Sequence, residues 1–270
     1  SVCGKQVRVM RRRSDFFAAV AGDLPILSTG RVLWECAELL ADYLFYARWI
    51  RHNFDREWWQ VHPPAPVVPS RFWPGRRVLE LGAGSGLVAN ILAGQGANVV
   101  CTDGDSAALR TAARNAAEAR RESKTWGSLD LVQLVWGDVR NARQLVKHRG
   151  PFEFVVGSDL LYGDQAPAEP LVETLAAIAA EPGGSGAQVI LALKNRMADE
   201  ATNFRHIAEE RRLWDIRLAE PEEYLEGFGA GENAYNIIHL AFRPEASGPG
   251  SAAELVGDSD SKPTKRVRVT

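Results

Sequence analysis

From Arg76 to Phe242 the chain alternates between two hydrophobic patterns. Short runs dense in Val, Ile and Leu predict buried strands, and stretches with apolar residues three and four apart predict amphipathic helices. The strand runs are Arg77–Leu81, Asn98–Thr102, Leu129–Trp136, Phe152–Gly157, Gln188–Leu193, Trp214–Leu218 and Ala234–Phe242. The helical stretches are Ser85–Ala93, Ser106–Arg120, Pro170–Ala180 and Ala198–Arg212. Strand and helix in alternation predict an α/β fold: a doubly wound, mostly parallel seven-stranded sheet with helices on both faces. The last two strands have only a loop between them, so they predict an antiparallel C-terminal hairpin at one edge.

Ahead of this region, Leu39, Leu40, Tyr43, Leu44 and Ala47 recur at helical spacing and predict a helix within 34–52. Residues 53–75 break the pattern. The run His62-Pro-Pro-Ala-Pro-Val-Val-Pro69 forbids a helix or a central strand, and Trp58, Trp59 and Trp73 flank it. This segment reads as an ordered loop whose aromatics serve as a lid or recognition element. The first 14 residues carry five basic side chains and no acid, and read as an edge strand (Gln6–Met10) with a basic turn. Arg11-Arg12-Arg13 reads as a solvated run. The chain opens on Ser1 rather than Met, so upstream residues are expected. From Pro244 onward Gly, Ser, Pro, Ala and acids prevail, too poor in large apolar groups to pack. The closing Lys262-Pro-Thr-Lys265-Arg266-Val-Arg268 reads either as a nuclear-import signal or as a solvated end. The expected organisation is therefore an N-terminal segment (1–75) packing on a catalytic domain (76–243), with a disordered tail (244–270).

Composition narrows the class. Apolar residues are 46% and charged residues 24%, with a formal charge of −2. That excludes the wholesale basic surface of a dedicated nucleic-acid binder. No apolar run is long enough to span a bilayer, so no membrane partner is expected. Cys3, Cys36 and Cys101 lie far apart, which fits a reducing compartment and argues against disulfides or structural zinc. His52, His62, His148, His206 and His239 do not cluster with Cys, Asp or Glu at ligand spacing, so no metal is expected.

The sharpest chemical signal is Val78-Leu-Glu80-Leu-Gly82-Ala83-Gly84-Ser-Gly86-Leu87, at the first strand–turn–helix. Glycines there let the backbone turn tightly and let a ligand lie against it, in front of a helix N-terminus with free N–H groups. A dinucleotide fingerprint would want a third glycine where Leu87 stands. Glu80 adds a carboxylate, which suits a cationic ligand group rather than a pyrophosphate. Asp103, 21 residues beyond Gly82, closes the second strand, where an acid binds ribose hydroxyls. The bland alternative is a plain tight turn.

Glu80-Leu-Gly82-x-Gly84-x-Gly86 followed by Thr102-Asp103 resembles the class I S-adenosylmethionine-dependent methyltransferases. The resemblance implies a Rossmann-like methyltransferase fold that binds S-adenosyl-L-methionine and releases S-adenosyl-L-homocysteine. It implies that the Gly loop holds the methionine part, Asp103 the ribose, and Trp136-Gly-Asp138 the adenine. Gly157-Ser158-Asp159-Leu-Leu-Tyr162 at the fourth strand is similar to the protein-lysine methyltransferase group called methyltransferase family 16. Gly30-Arg-Val-Leu-Trp34, Trp136-Gly137 and Leu193-Lys-Asn-Arg196 agree with that group. By resemblance, Trp34 lies over the methionine end, Ser158 borders the cofactor, and Asp159 and Tyr162 orient the amine that is methylated. The 53–75 stretch departs from the group by lengthening the gap before the Gly loop, and added segments choose the substrate in such enzymes. Trp49, Trp126 and Trp214 read as packing.

The expectation is a cytoplasmic, and also nuclear, monomeric protein-lysine N-methyltransferase with a protein substrate and no nucleic-acid partner. The alternatives are methylation of histidine, of a small molecule or of RNA, an NAD-dependent oxidoreductase, and a catalytically silent cofactor-binding partner protein. Asp159 has its own bland reading, as the N-cap of a following helix.

Overall fold

The computed structural model describes residues 35–45, 72–162, 168–194, 200–219 and 235–243. Its elements in chain order are α1 (Glu35–Phe45), β1 (Arg77–Leu81), α2 (Leu87–Gly94), β2 (Asn98–Asp103), α3 (Ser106–Glu122), β3 (Ser128–Gln133) and α4 (Val139–Arg149). β4 (Phe154–Ser158), α5 (Ala168–Ala179), β5 (Gln188–Lys194), α6 (Glu200–Glu210), β6 (Trp214–Leu218) and β7 (Tyr235–Phe242) follow. The sheet order is β3-β2-β1-β4-β5-β7-β6. β1 to β5 pair in parallel, and β7 runs antiparallel between β5 and β6. The predicted seven-stranded sheet with its antiparallel C-terminal pair is therefore what forms.

Strand alternation builds two cores. Val78, Val99, Cys101, Phe154, Val156 and Ile190 point to one face, under α1, α2 and α3. Leu79, Leu81, Val100, Val155, Leu191 and Ile238 point to the other, under α4, α5 and α6. Burial on both faces is what a parallel sheet demands. α1 contributes Cys36, Leu39, Leu40, Tyr43 and Leu44, spaced as one helical face and buried against α2, β4 and β5. Fully burying one such leucine stabilises the fold by roughly 1.5–3 kcal/mol.

Three expectations are corrected. The sequence pattern passed over α4, whose charged surface leaves only Ala142, Leu145 and Val146 buried. The third strand stops at Gln133 because the Leu134 amide turns to the Asp103 carbonyl, leaving Trp136 in the following turn. Trp73 is no lid residue. It is buried at the core, with its ring 5.0 Å from that of Phe72 and 5.4 Å from that of Phe154. Trp214 is buried and Trp126 packs against the core, as read. Trp34, Trp49, Trp58, Trp59, Asn195, Arg196, the Arg11–Arg13 run, residues 46–71 and the 244–270 tail lie outside the described residues.

Candidate functional site

Because β1 to β5 run parallel, the loops that follow them leave from one edge of the sheet. Strand order reverses between β1 and β4, and a crevice outside the carboxyl ends opens at such a switch point. Gly82–Gly86 and Ser158–Tyr162 flank that point, with Asp103 and Trp136 on the β2 and β3 side. The structure thus brings the predicted glycines, Asp103, Trp136, Ser158 and Asp159 to one edge.

Gly82, Gly84 and Gly86 have φ of +59°, +54° and +76°, which other residues rarely adopt. Space excludes side chains as well. A Cβ on Gly82 would lie 2.7 Å from Leu160 Cδ2 and 3.1 Å from Trp136 Cζ2, and one on Gly86 would lie 2.9 Å from Ala112 Cβ. Half-buried Ala83 donates its amide to the Thr102 carbonyl at 2.9 Å, and Thr102 Oγ1 donates to the Glu80 carbonyl at 2.7 Å. The loop is therefore strapped to the end of β2.

Asp103 completes that strap. Its Oδ2 accepts the Gly84 amide at 2.8 Å and its Oδ1 accepts the Asp105 amide at 2.8 Å. Burial raises its pKa, and the hydrogen bonds from Asp105 and Gly84 oppose the rise. The carboxylate keeps lone-pair capacity for a further donor. Beside it, Val135 is 56% exposed and approaches the Gly104 position, leaving an apolar surface open next to the carboxylate.

Glu80, expected beside a cationic ligand group, is held through one carboxylate oxygen to the helix behind the loop. Alternation along β1 puts it on the α1–α2 face, 1% exposed, where Oε2 accepts the Ala89 amide at 2.9 Å. It ties β1 to the first turn of α2 across the Gly loop. Burial pushes its pKa up to about 8, which the Ala89 bond partly offsets and the Asp103 charge reinforces.

Trp136 is half-buried. Its neighbour Gly137 donates to Thr174 Oγ1 of α5 at 2.9 Å, and Thr174 Oγ1 in turn donates to the Pro170 carbonyl at 2.8 Å. Asp138 is exposed and caps α4, accepting the Asn141 amide at 3.0 Å. The cap engages Oδ1 alone, so Oδ2 of the carboxylate that the resemblance assigns to adenine keeps its acceptor capacity.

Ser158 ends β4 opposite Ala192. Asp159 follows with φ +58°, 8% exposed, its amide donating to the Ala192 carbonyl at 2.8 Å. An Asp tolerates this left-handed backbone better than most residues. It does not cap α5, which begins at Ala168. Tyr162 is half-buried.

Three residues escaped the sequence reading. Leu160 seals the switch point against both Gly82 and Gly157. Asn115 of α3 is fully buried and donates Nδ2 to the Ser85 carbonyl at 2.8 Å. Thr174 holds the turn after Trp136. An Asn in the middle of an Ala-rich helix was the available signal for the second, since it carries donors that burial must satisfy. Among the described residues no group of three or more His, Cys, Asp or Glu could hold a metal ion, and no helix is long and apolar enough to cross a membrane.

Protein N-lysine methyltransferase METTL21A of Danio rerio is 31% identical over 144 residues, covering 53% of this chain and 56% of that protein. The match thus spans little more than half the length of that relative. A TehB-like SAM-dependent methyltransferase from Corynebacterium glutamicum aligns over 86% of this chain and 95% of its own, at 16% identity and TM-score 0.47. The magnesium protoporphyrin IX methyltransferase of Synechocystis aligns over 63% of this chain and 75% of its own, at 15% identity and TM-score 0.44. A family model described as lysine methyltransferase matches residues 23–210, and the chain belongs to that family.

Proposed function

We propose that the chain is an S-adenosylmethionine-dependent protein N-methyltransferase whose acceptor is a lysine side chain of a protein substrate. The observation that carries the reading is the clamp of the Gly84 amide on Asp103 at the switch point of the sheet. The edge fits the cofactor. The Asp103 carboxylate is fixed by two amides and has capacity left for paired hydroxyls. Open Val135 and half-buried Trp136 supply apolar surface for a purine. The cofactor when bound supplies an electrophilic methyl on a sulfonium.

Asp103 would hold the ribose, Gly82 to Gly86 the methionine part, and Trp136 the adenine. Glu80 acts through the loop, by fixing the distance between β1 and α2. A lysine ammonium has its lone pair blocked by a proton, with an ordinary pKa near ~10.4. Asp159 accepts a hydrogen bond from that nitrogen and orients it, and the Tyr162 ring contacts its charge. The amine proton would leave to solvent, freeing the nitrogen lone pair that Asp159 orients toward the methyl group the bound cofactor would supply. Positioning of the amine near the methyl carbon carries most of the rate.

A thermal shift with S-adenosylhomocysteine against NAD tests the cofactor. Stabilisation of about 2.7 kcal/mol is expected at 100-fold excess over the dissociation constant. No shift with the former overturns the reading. Incubation with labelled S-adenosylmethionine and a cell extract, followed by mass spectrometry of the labelled band, identifies the methylated atom. A label on a nucleic acid or a small molecule removes lysine as acceptor.

A further inference from the structure

We propose that the outer face of α3 docks an acidic stretch, rich in Asp and Glu, of the protein substrate. This rests on the protein-methylation reading and names what that substrate must carry beside its lysine. Among the described residues several cations face a carboxylate: Arg76 with Glu153, Lys147 with Glu181, Arg149 with Asp130, Arg205 with Glu209, Arg211 with Glu173 and Arg243 with Asp215. α3 and its exit gather five cations on one element. Arg110, Arg114, Arg120, Arg121 and Lys124 are all exposed, and none of them forms an ion pair. Arg110 donates only to Ser106 Oγ and Arg114 only to the Arg110 carbonyl, contacts that lay the guanidinium groups along the helix and leave their charge unneutralised.

At 100° per residue Arg110, Arg114 and Arg121 fall on one stripe, within roughly 40° of arc and over about 16 Å of helix. The stripe lies opposite the buried side formed by Ala108, Ala112 and Asn115. Like charges four apart, as in Arg110 and Arg114, destabilise a helix, so the stripe works against the fold that carries it. It also stands against a chain whose net charge is −2. The inner side of α3 clamps the Gly loop through Ala112 and Asn115, so anything seated on the outer side is held rigidly beside the site. Between the arginines the face presents Ala113, Ala117 and Glu118. No aromatic is there to stack on bases, which favours an acidic polypeptide over a nucleic acid.

The test uses the full chain, a fluorescent Asp/Glu peptide of ~20 residues and a single-stranded RNA of ~20 nucleotides, read by anisotropy at about 50 and about 200 mM salt. The peptide is expected to bind, and to bind at least about tenfold more weakly to R110E/R114E/R121E and at the higher salt. The lysine triple variant R110K/R114K/R121K retains binding, because charge is what is read. The neutral triple variant R110Q/R114Q/R121Q loses binding with an unchanged melting temperature, which separates lost docking from a misfolded helix. Equal peptide affinity in wild type and the neutral variant overturns the proposal. So does preference of the wild type for RNA. A thermal shift with S-adenosylhomocysteine runs in parallel and is expected to be equal in all variants. Its absence from the unsubstituted chain overturns the methyl-transfer reading instead, whatever the peptide does.

Discussion

The Gly84 amide donates to Asp103 Oδ2 at 2.8 Å, joining the loop after β1 to the end of β2. One carboxylate therefore shapes the loop and, in the proposed function, presents the acceptor for ribose. Asp103→Ala removes both functions together. Hydrogen bonds to charged groups contribute about 1.5–3 kcal/mol each, so affinity for S-adenosylhomocysteine should fall by roughly 10- to 100-fold or more. Isothermal titration reads this directly. Affinity within about threefold of wild type would show that Asp103 only shapes the loop.

Gly82 and Leu160 exclude one another. A methyl on Gly82 meets Leu160 Cδ2 at 2.7 Å, on a backbone at φ +59°. Gly82→Ala should cost about 1–3 kcal/mol of stability from strain, with added cost from the contact. Leu160→Ala opens the space, so in a double-mutant cycle the pair should cost less than the sum of the singles. Urea unfolding measures it, and strict additivity would mean that backbone strain at Gly82 acts alone.

Much of this arrangement was legible from residue types. Alternation located β1, β2, β4 and β5, and the Gly-x-Gly-x-Gly run with an acid 21 residues on located the edge now proposed for the cofactor. What escaped depends on direction and on long-range partners. The bond of Glu80 to the Ala89 amide was not legible, because position along the chain says nothing of which helix a strand residue faces. Trp73 looked like a lid residue because prolines precede it, yet Phe72 and Phe154 enclose it. α4 was overlooked because three buried apolar residues make a weak periodicity. The overlooked signal was Asp138 as a cap, with Lys147, His148 and Arg149 in the last turn, where cations suit the helix dipole. His239, which shows no metal-ligand spacing in the sequence, bonds Tyr43 Oη at 2.7 Å across 196 positions, a distance no local pattern encodes.

Glu80 gives the fold a pH dependence of definite sign. Burial holds its folded pKa at about 8, against an ordinary 4.5. Between those values the folded state keeps a proton that the unfolded state has lost. The contribution to stability is therefore fully present below the unfolded pKa and is lost as pH rises to about 8. The raised pKa of Asp103 acts in the same direction. Glu80→Gln keeps an oxygen for the Ala89 amide and removes the titration. Urea midpoints at about pH 5 and about pH 8 should differ less in the variant than in wild type. An unchanged difference would place the slope elsewhere.

Asn115 steadies the Gly loop from behind. Its Nδ2 donates to the Ser85 carbonyl at 2.8 Å from a fully buried position. Asn115→Ala leaves that carbonyl without this donor, at a cost of about 1–3 kcal/mol. Because the loop and not the acceptor site is loosened, the KM for S-adenosylmethionine should rise about tenfold while kcat changes less than about threefold. Equal losses in both parameters at full saturation would mean that Asn115 reaches the reacting groups.

Asp159 offers the most direct test of the chemistry. It sits at φ +58° and is 8% exposed, at the carboxyl end of β4. Replacement by Ala would confound two effects, because Ala tolerates that backbone poorly. Asn tolerates it and is nearly isosteric, so Asp159→Asn removes the charge while the turn and the bond from its amide to Ala192 survive. If the carboxylate orients the lysine nitrogen, kcat should fall by roughly 100-fold or more, since a misplaced nucleophile forfeits the proximity term. Affinity for S-adenosylhomocysteine should stay within about threefold, and the melting temperature should hold. A Gly at the same position keeps the backbone but offers no acceptor, and should be at least as inactive as the Asn variant. Turnover that survives in both would assign the orientation of the amine to other groups and leave Asp159 as a turn former.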